Sequence, residues 1–114
     1  MLKPAEFSTV FSARQVVRGT HFVLHYRLND LPVARLGLVI PKKQAHAAVL
    51  RNAIKRQARE LFRHRRVGLP PLDLVLRLAQ SVERPGSAID KQARAAWRAE
   101  FAVLFERLCR KLAP

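Results

Sequence analysis

The sequence predicts an α+β fold with the element order helix, strands, helix, strand, helix. Residues 20–28 and 72–78 place apolar side chains at every second position, which is typical of strands with two different faces. Residues 47–66 and 89–112 repeat their apolar side chains at helical spacing, which is typical of amphipathic helices. At 114 residues, the chain has the length of a single domain, which we expect to span residues 1–114.

The first part of the chain is predicted to contain one short helix and two strands. Pro4 fits the first turn of a helix that ends at about Ser12, and Phe7 and Phe11 are spaced to share one face of it. The strand that follows carries four apolar side chains on one face: Phe22, Leu24, Tyr26 and Leu28. The second strand, residues 33–40, does the same with Leu36, Leu38 and Ile40. Because turn residues separate the two strands, we expect them to pair as an antiparallel hairpin.

The rest of the chain is predicted to form a helix, a strand and a second helix. The helix at residues 47–66 ends before Gly68 and the two prolines after it. The strand at residues 72–78 directs its four leucines toward the core and three other side chains outward: Asp73, Val75 and Arg77. The last helix, residues 89–112, is expected to pack through one apolar face: Ala93, Trp97, Phe101, Leu104, Leu108 and Leu112.

The charge of the chain indicates a polyanionic partner. Lysine and arginine total 22 against 8 acidic residues, which gives a formal net charge of +14, while 49% of the residues are hydrophobic. A folded protein with this charge repels itself, so we expect an anion to screen it, with nucleic acid ahead of an anionic membrane. Solubility alone is the alternative explanation, but solubility requires less net charge, and a net charge of either sign can provide it.

The cysteine content and the hydropathy of the chain favour a cytoplasmic protein. Cys109 is the only cysteine, so an intramolecular disulfide is excluded, and we expect an inert thiol there. The start of the chain, "MLKPAEFSTVF", lacks the apolar core of a secretion signal. The longest apolar run, "LGLVIP" at residues 36–41, is too short to cross a bilayer. We therefore expect no membrane association.

The helix at residues 47–66 separates its charges from its apolar side chains. At 100° per residue, five apolar side chains fall on one side: Leu50, Ala53, Ile54, Ala58 and Leu61. The opposite side carries Asn52 and six cations: Arg51, Lys55, Arg56, Arg59, Arg63 and Arg66. Like charges four residues apart destabilise an isolated helix by about 0.2–0.5 kcal/mol per pair, so this face favours binding to phosphates. A merely solvated face is the first alternative, and a membrane surface is a more distant one.

The polar face of the predicted sheet is a second candidate site, a groove for a single nucleic-acid strand. It combines valines with basic side chains: Val23, His25, Arg27, Arg35, Val39, Val75 and Arg77. If Phe7 and Phe11 border the groove, bases can stack on their rings while the cations follow the backbone. The alternative is that both phenylalanines belong to the core.

The sequence provides little material for catalysis by the protein itself. His46, His64 and Glu60 lie near the basic helix, and His21 and His25 share a strand face, so a general acid–base pair can be drawn. The eight acidic residues are scattered, however, and suit neither two-metal phosphoryl transfer nor, with one cysteine, a zinc site. We expect no catalytic residues and no metal ligands, with an independent nuclease as the alternative.

Two motifs resemble the signature of a known family. "RLGLVIPKK" at residues 35–43 is followed after seven residues by "RNAIKRQARELFR", which begins at Arg51. This pair resembles the bacterial ribonuclease P protein component, in which a basic turn precedes an Arg-Asn-x-x-Lys-Arg-x-x-Arg helix. "EFSTVF" near the start and the strands "HFVLHYRL" and "LDLVLRL" are also similar, so the resemblance covers nearly the whole chain. It departs at His25, where relatives often carry an aromatic residue, and at Ala79-Gln80, where they often carry a basic pair.

The resemblance implies a fold and separate roles for the protein and an RNA subunit. The fold is a small α/β sandwich like the second domain of ribosomal protein S5, with a left-handed crossover around the basic helix. A large RNA subunit uses Mg²⁺ to cleave the 5′ leader from precursor tRNA, and one protein molecule binds that RNA and the leader. The positions that match RNA-subunit contacts are Lys42, Lys43, Arg51, Asn52, Lys55, Arg56, Arg59 and Arg63. Those that match leader contacts are Phe7, Phe11, Val23, His25, Arg27 and Arg35. A structural RNA-binding protein of ribosomal type is the alternative function.

Overall fold

In a computed structural model, the structure describes residues 2–81 and 91–112. These residues form three α-helices and four strands, in the order α1 (Phe7–Ser12), β1 (Val16–Arg18), β2 (Phe22–Leu28), β3 (Arg35–Val39), α2 (Ala48–Arg65), β4 (Leu72–Leu78) and α3 (Lys91–Leu112). Short 3-10 turns, Pro4–Glu6 and Arg66–Gly68, precede α1 and follow α2. The predicted mixed α+β class is confirmed, and the predicted start of the last helix at residues 89–90 lies outside the described residues.

The four strands form one sheet in the order β1-β2-β4-β3. β2 runs antiparallel to β4 over its whole length, whereas β3 runs parallel to β4. The predicted hairpin between β2 and β3 is therefore wrong, because β4 lies between them. β4 occupies the centre because its residues from Leu72 to Leu76 are buried on both faces and require cover on each. Residues 29–34 easily span the roughly 10 Å from β2 across β4 to β3.

The parallel pair of β3 and β4 is joined through α2, so the predicted strand–helix–strand unit is confirmed. Its left-handedness stays a prediction from the resemblance. β1 was missed by the sequence pattern, because three residues are too few for an alternation to stand out. Within the described part of the chain, none of the helices is both long enough and apolar enough to cross a membrane.

The main core lies between one face of the sheet and the helices α2 and α3. It joins residues from every element there, including Phe22, Leu24, Leu36, Ile54, Leu72, Leu74, Leu76, Phe101 and Leu104. The rings of Phe22 and Phe101 meet edge to face, with their centroids 4.7 Å apart. Each fully buried side chain of this kind contributes about 1.5–3 kcal/mol, so the cluster holds both helices on the sheet.

α1 covers the opposite face of the sheet, which the sequence predicts to be polar. Leu2, Val10 and Val75 form a small buried cluster there, so the prediction that Val75 points outward to a polar surface is wrong. Gly37 of β3 permits this packing, because a Cβ at that position would overlap the ring of Phe7. The two faces of β4 therefore contribute to two separate clusters.

Candidate nucleic-acid interface

The basic helix α2 is held on the core by side chains spaced four residues apart. Leu50, Ile54, Ala58 and Phe62 are buried, while Ala53 and Leu61 pack against the same cluster and stay partly exposed. Phe62 was missed by the sequence analysis, although its spacing from Ala58 predicts burial. The basic residues of the last turn suit the negative end of the helix dipole. The exposed side of α2 carries Asn52, Arg56, Arg59 and Arg63, with Lys55 partly buried at its border.

Arg51 is partly buried beside the apolar stripe of α2, so its predicted place opposite that stripe is wrong. Three residues before Ile54, it falls on nearly the same side of the helix. Its Nη1 donates hydrogen bonds to the carbonyl oxygens of Ala45, over 3.0 Å, and His46, over 2.6 Å. The guanidinium therefore fastens the first turn of α2 to the loop before it. That loop begins with a turn in which the amides of Gln44 and Ala45 donate to the carbonyl of Pro41. Arg51 thus positions the preceding basic turn as well as contributing charge.

Lys42 and Lys43 are exposed in that basic turn, at the N-terminal end of α2. Arg63, at the other end, pairs with Glu60 over 2.6 Å. The hydrogen bond and charge of Arg63 lower the pKa of Glu60, so the carboxylate stays ionised and offsets part of the cationic charge. Among the described residues, Lys55, Arg56 and Arg59 have no such acidic partner. The unneutralised part of the face is therefore the middle of α2 together with the basic turn.

α1 crosses the opposite face of the sheet over its middle row of side chains. The ring of Phe11 meets the imidazole of His25 edge-on, with centroids 4.7 Å apart, and Phe7 lies over Gly37. Both phenylalanines are partly buried, and they pack against the small cluster around Val75. Each ring therefore packs on one side and stays accessible on the other. Both predicted roles, core packing and base stacking, are compatible with this arrangement.

One side of α1 is closed by ion pairs. Arg27, Asp73 and Arg35 align there across β2, β4 and β3. Arg35 donates from Nε and Nη2 to the two carboxylate oxygens of Asp73, each over 2.9 Å, and its Nη1 lies 3.0 Å from Glu6. Burial raises the pKa of Asp73, but hydrogen bonds from Arg35 and Asn29 outweigh it and leave that pKa below its usual value. Arg35 is thus committed to two carboxylates, and Arg27 alone is exposed in this row.

The other side of α1 is open and basic. Arg18, Val23, Arg77 and Val39 align there across the four strands, next to His25. Within the described residues, neither arginine of this row has a carboxylate partner. We call the open row, with His25 and the rings of Phe7 and Phe11, the cleft. Arg18 and Arg77 were absent from the predicted leader contacts: Arg18 lies on the missed strand, whereas Arg77 was visible in the alternation.

His25 is a neutral member of the cleft. Burial lowers its pKa, and the positive charges of Arg77 and Arg18 lower it further. The Nε–H of Arg77 donates to Nε2 of His25 over 3.2 Å. His46 and His64 do not join it, and Glu60 is occupied by Arg63 and His64. Within residues 2–81 and 91–112, no three histidine, cysteine or acidic side chains gather in a way that suits a metal ion.

The fold and the two basic surfaces define a small RNA-binding protein, with one surface on each side of a single sheet. Residues 1–107 match the family model described as Ribonuclease P. The ribonuclease P protein component of Azoarcus sp. (strain BH72) is 45% identical over 93% of this chain and 82% of its own length. That of Ralstonia pickettii (strain 12J) is 46% identical over 98% of this chain and 80% of its own length. The chain therefore belongs to the ribonuclease P protein family.

Solved structures share the fold. The RNase P protein of Staphylococcus aureus has a TM-score of 0.76 at 23% identity, with coverage of 95% of this chain and 93% of that one. The RNase P protein of Thermotoga maritima has a TM-score of 0.65 at 26% identity, with coverage of 97% and 93%. Family membership makes this chain a protein subunit of ribonuclease P, an endoribonuclease of tRNA processing whose catalyst is its RNA.

Proposed function

We propose that the two basic surfaces bind two different RNAs at once. The exposed face of α2 and the turn at Lys42 and Lys43 bind the ribonuclease P RNA, and the cleft beside α1 binds the 5′ leader of precursor tRNA. The observation that carries this proposal is the placement of the surfaces on opposite sides of one sheet, since α2 packs on one face and α1 on the other. A single protein molecule can then bridge catalyst and substrate in the cytoplasm, as one protein with one RNA.

The chemistry of the α2 face suits a folded RNA. Guanidinium groups bind phosphate oxygens in pairs, and Lys55, Arg56 and Arg59 place three unneutralised cations within two adjacent turns. Each cation that replaces a counterion on RNA stabilises the complex and makes it sensitive to salt. Asn52 adds an exposed amide that both donates and accepts hydrogen bonds, which is suited to a base edge or a ribose hydroxyl.

The chemistry of the cleft suits a single strand. The exposed parts of the Phe7 and Phe11 rings offer stacking surfaces, and Arg18 and Arg77 offer charge beside them. Val23 lies between the two arginines but is buried, so it is left out of the proposed leader contacts. Arg35 is left out of the proposed leader contacts, because its guanidinium already binds Asp73 and Glu6. In this proposal the protein holds substrate and catalyst together, and Mg²⁺ acts on the RNA subunit.

Reconstitution tests the proposal. The protein is added to a bacterial ribonuclease P RNA at low Mg²⁺, with precursor tRNA that either carries or lacks a leader. We expect the protein to stimulate cleavage and to tighten binding of the leader-bearing substrate more than that of mature tRNA. Absence of stimulation would contradict the proposal and favour the ribosomal-type alternative. Cleavage of the substrate by the protein in the absence of the RNA subunit would favour the alternative of an independent nuclease.

A matched pair of variants separates the α2 face from generic charge. Arg56→Gln combined with Arg59→Gln removes two cations from the proposed RNA face, and Arg94→Gln combined with Arg98→Gln removes two exposed cations from α3. Each lost phosphate contact should flatten the log–log salt dependence of binding to the RNA subunit by roughly 0.7–0.9. We expect the α2 pair to flatten it and the α3 pair to leave it unchanged. Equal effects would indicate that the α2 cations form only a solvated face.

A further inference from the structure

β1 forms the edge of the sheet at one end of the cleft, and α3 lies along its outer side. Residues that bond to β2 alternate along β1 with residues that face away, so the carbonyl groups of Val16 and Arg18 point outward. Nη1 of Arg107 donates to the carbonyl of Arg18 over 2.7 Å, and Nζ of Lys111 donates to that of Val16 over 3.1 Å. Four residues of helix and two residues of strand both advance by about 6–7 Å, so the two contacts fall in register.

Glu100 lies on the same side of α3, because residues 100, 107 and 111 fall within about 40° of one another around the helix axis. Its Oε2 accepts the backbone N–H of His21 over 2.8 Å and that of Phe22 over 2.7 Å. Its Oε1 lies 3.0 Å from Nδ1 of His21. Within the described residues, Glu100 therefore pairs with His21 and with no cation of α3. These contacts fix α3 against β1 and the turn after it.

Arg107 and Lys111 retain most of their donors and all of their charge. A guanidinium has five N–H donors and an ammonium has three, and each side chain spends one of them on a β1 carbonyl. Within the described part of the chain, neither has a carboxylate partner, and the same holds for the exposed Arg14, two residues before β1. Glu106 lies about 100° or more from both cations around α3. We call Arg14, Arg107 and Lys111 the β1 flank.

The β1 flank continues the open row of the cleft. Arg18 belongs to that row, its carbonyl binds Arg107, and the two residues line one surface hollow. At the other end of the row, Val39 is followed closely by the basic turn at Lys42. In the proposed function that turn binds the RNA subunit, which carries out the cleavage. A single strand in the cleft therefore has its cleavage-proximal end beside β3 and leaves over β1, toward the flank.

We propose that the β1 flank binds backbone phosphates of the leader upstream of the cleft. The row across four strands is only about 14 Å long, so a longer leader extends beyond β1. Cations that bind no carboxylate are available to phosphate oxygens, and contacts to phosphates carry no base information. Long leaders thereby gain affinity that does not depend on their sequence. The inference rests on the proposed function, in which the cleft takes the leader, and it adds a separate site on α3.

The test measures the affinity of precursor tRNAs, with leaders extended one nucleotide at a time, for the protein assembled with a ribonuclease P RNA. For the unmodified protein we expect affinity to rise in two stages, first as the leader fills the cleft and again as it crosses β1. In Arg107→Gln combined with Lys111→Gln, the first stage should remain and the second should vanish. Long leaders should bind about tenfold more weakly than to the unmodified protein, and short leaders equally well.

The salt dependence and a matched variant separate this site from generic charge. For long leaders only, the double variant should flatten the log–log salt dependence by about 0.7 per lost phosphate contact. Arg94→Gln combined with Arg98→Gln removes two exposed cations from the other half of α3. This control should behave like the unmodified protein at every leader length.

Arg14→Gln separates phosphate binding from support of β1. Within the described residues, the Arg14 side chain makes no hydrogen bond or ion pair, so this variant loses a flank cation and keeps the contacts between α3 and β1. We expect about a threefold loss of affinity, again for long leaders only. Hydrogen exchange of the Gly19 amide, which bonds to β2, should be unchanged.

The dependence on leader length decides between the possible outcomes. An equal loss at every leader length in the double variant would show that Arg107 and Lys111 only hold β1 in place, and it would overturn the inference. A second stage that is missing from the unmodified protein, or that persists in the double variant, would overturn it as well. If the unmodified protein bound leader-bearing and mature tRNA equally at every length, the proposed function itself would fail.

Discussion

Arg35 and Asp73 form a two-bonded ion pair across β3 and β4, with both N···O distances at 2.9 Å. Asp73 is almost fully buried and also accepts a hydrogen bond from Asn29 over 2.8 Å. Glu6 joins Arg35 from the other side, so the start of α1 is tied to the sheet through one guanidinium. This network closes one side of α1 and leaves the other side to the cleft.

The first prediction concerns the stability of this network. Asp73→Asn keeps the shape of the side chain but removes the charge, so it should lower the free energy of unfolding at pH 7 by about 2–3 kcal/mol. Urea unfolding measures this loss. Glu60→Gln, which breaks an exposed pair on α2, is the control and should change the stability far less. A loss no larger than that of the control would show that the buried pair is not a net stabiliser.

The same pair predicts a dependence on pH. Because the pKa of Asp73 is lower in the folded protein than in the unfolded chain, the ion pair adds stability above about pH 4. That contribution is lost as the pH falls through the folded-state pKa. Asp73→Asn should therefore show a smaller decline in stability between neutral and acidic pH than the unmodified protein does. Parallel pH curves for the two proteins would contradict the assignment.

The second prediction concerns Arg51 as a positioning residue. Arg51→Ala removes two hydrogen bonds to the loop carbonyls, and it should cost about 1–2 kcal/mol in stability. Amide hydrogen exchange should accelerate at residues 44–51 before the remainder of α2. Arg56→Ala removes an equal charge from the exposed side and should leave exchange at these residues unchanged. Equal exchange in both variants would mean that Arg51 contributes only charge.

The third prediction concerns backbone strain after α1. Arg14 has a φ of 55°, which places a residue with a side chain in the left-handed region. Such a residue costs about 1–2 kcal/mol relative to glycine there, reduced by the extra freedom that glycine has when unfolded. Arg14→Gly should therefore be more stable than Arg14→Ala by about 1 kcal/mol, and both lack the charge. Thermal unfolding compares them, and an alanine variant at least as stable would refute the strain.

The fourth prediction concerns the close approach of α1 to the sheet. In Gly37→Ala the new methyl group overlaps the ring of Phe7, so α1 must shift, at a cost of about 1–3 kcal/mol. We expect weaker binding of leader-bearing precursor tRNA and unchanged affinity for the RNA subunit. In a Phe7→Ala background the obstacle is absent, so the same glycine substitution should cost little. If the losses were additive in the double variant, the cost of Gly37→Ala would not arise from contact with Phe7.

The sequence predicts most elements because their apolar spacing is strong. Residues 72–78, with a leucine at every second position, and the i, i+4 stripe of α2 give a strand and a helix with nearly correct ends. β1 was lost because its three residues give no period. The strand order was not predicted either, because the alternation within a strand does not reveal which other strand it pairs with. The burial of Val75 indicates that both faces of β4 are covered, as expected of an inner strand, but it does not reveal which strands flank it.

The candidate site also combines features that the sequence predicts with features that it does not. The charges of α2 are local and were visible as a helical face, whereas the cleft depends on contacts between distant residues. Arg35 and Asp73 are 38 positions apart, and His25 and Arg77 are 52 apart. The alternation within their strands marks all four as polar residues of one sheet face. Which cation is neutralised by a carboxylate and which remains open is decided by the register of β2, β3 and β4.

β4 sets the distance between the two proposed RNA-binding surfaces. Its leucines face α2, while Val75 and Arg77 face the cleft, so the same strand backs both surfaces. The separation between them equals a sheet with one helix layer, roughly 10 Å per layer, and it cannot change without opening the sheet. The protein thus holds the two surfaces at a fixed separation. If the cleft binds the leader as proposed, the leader must extend a fixed distance from the cleavage point to reach it. Shortening the leader one nucleotide at a time should then abolish the protein's stimulation of cleavage at one particular length.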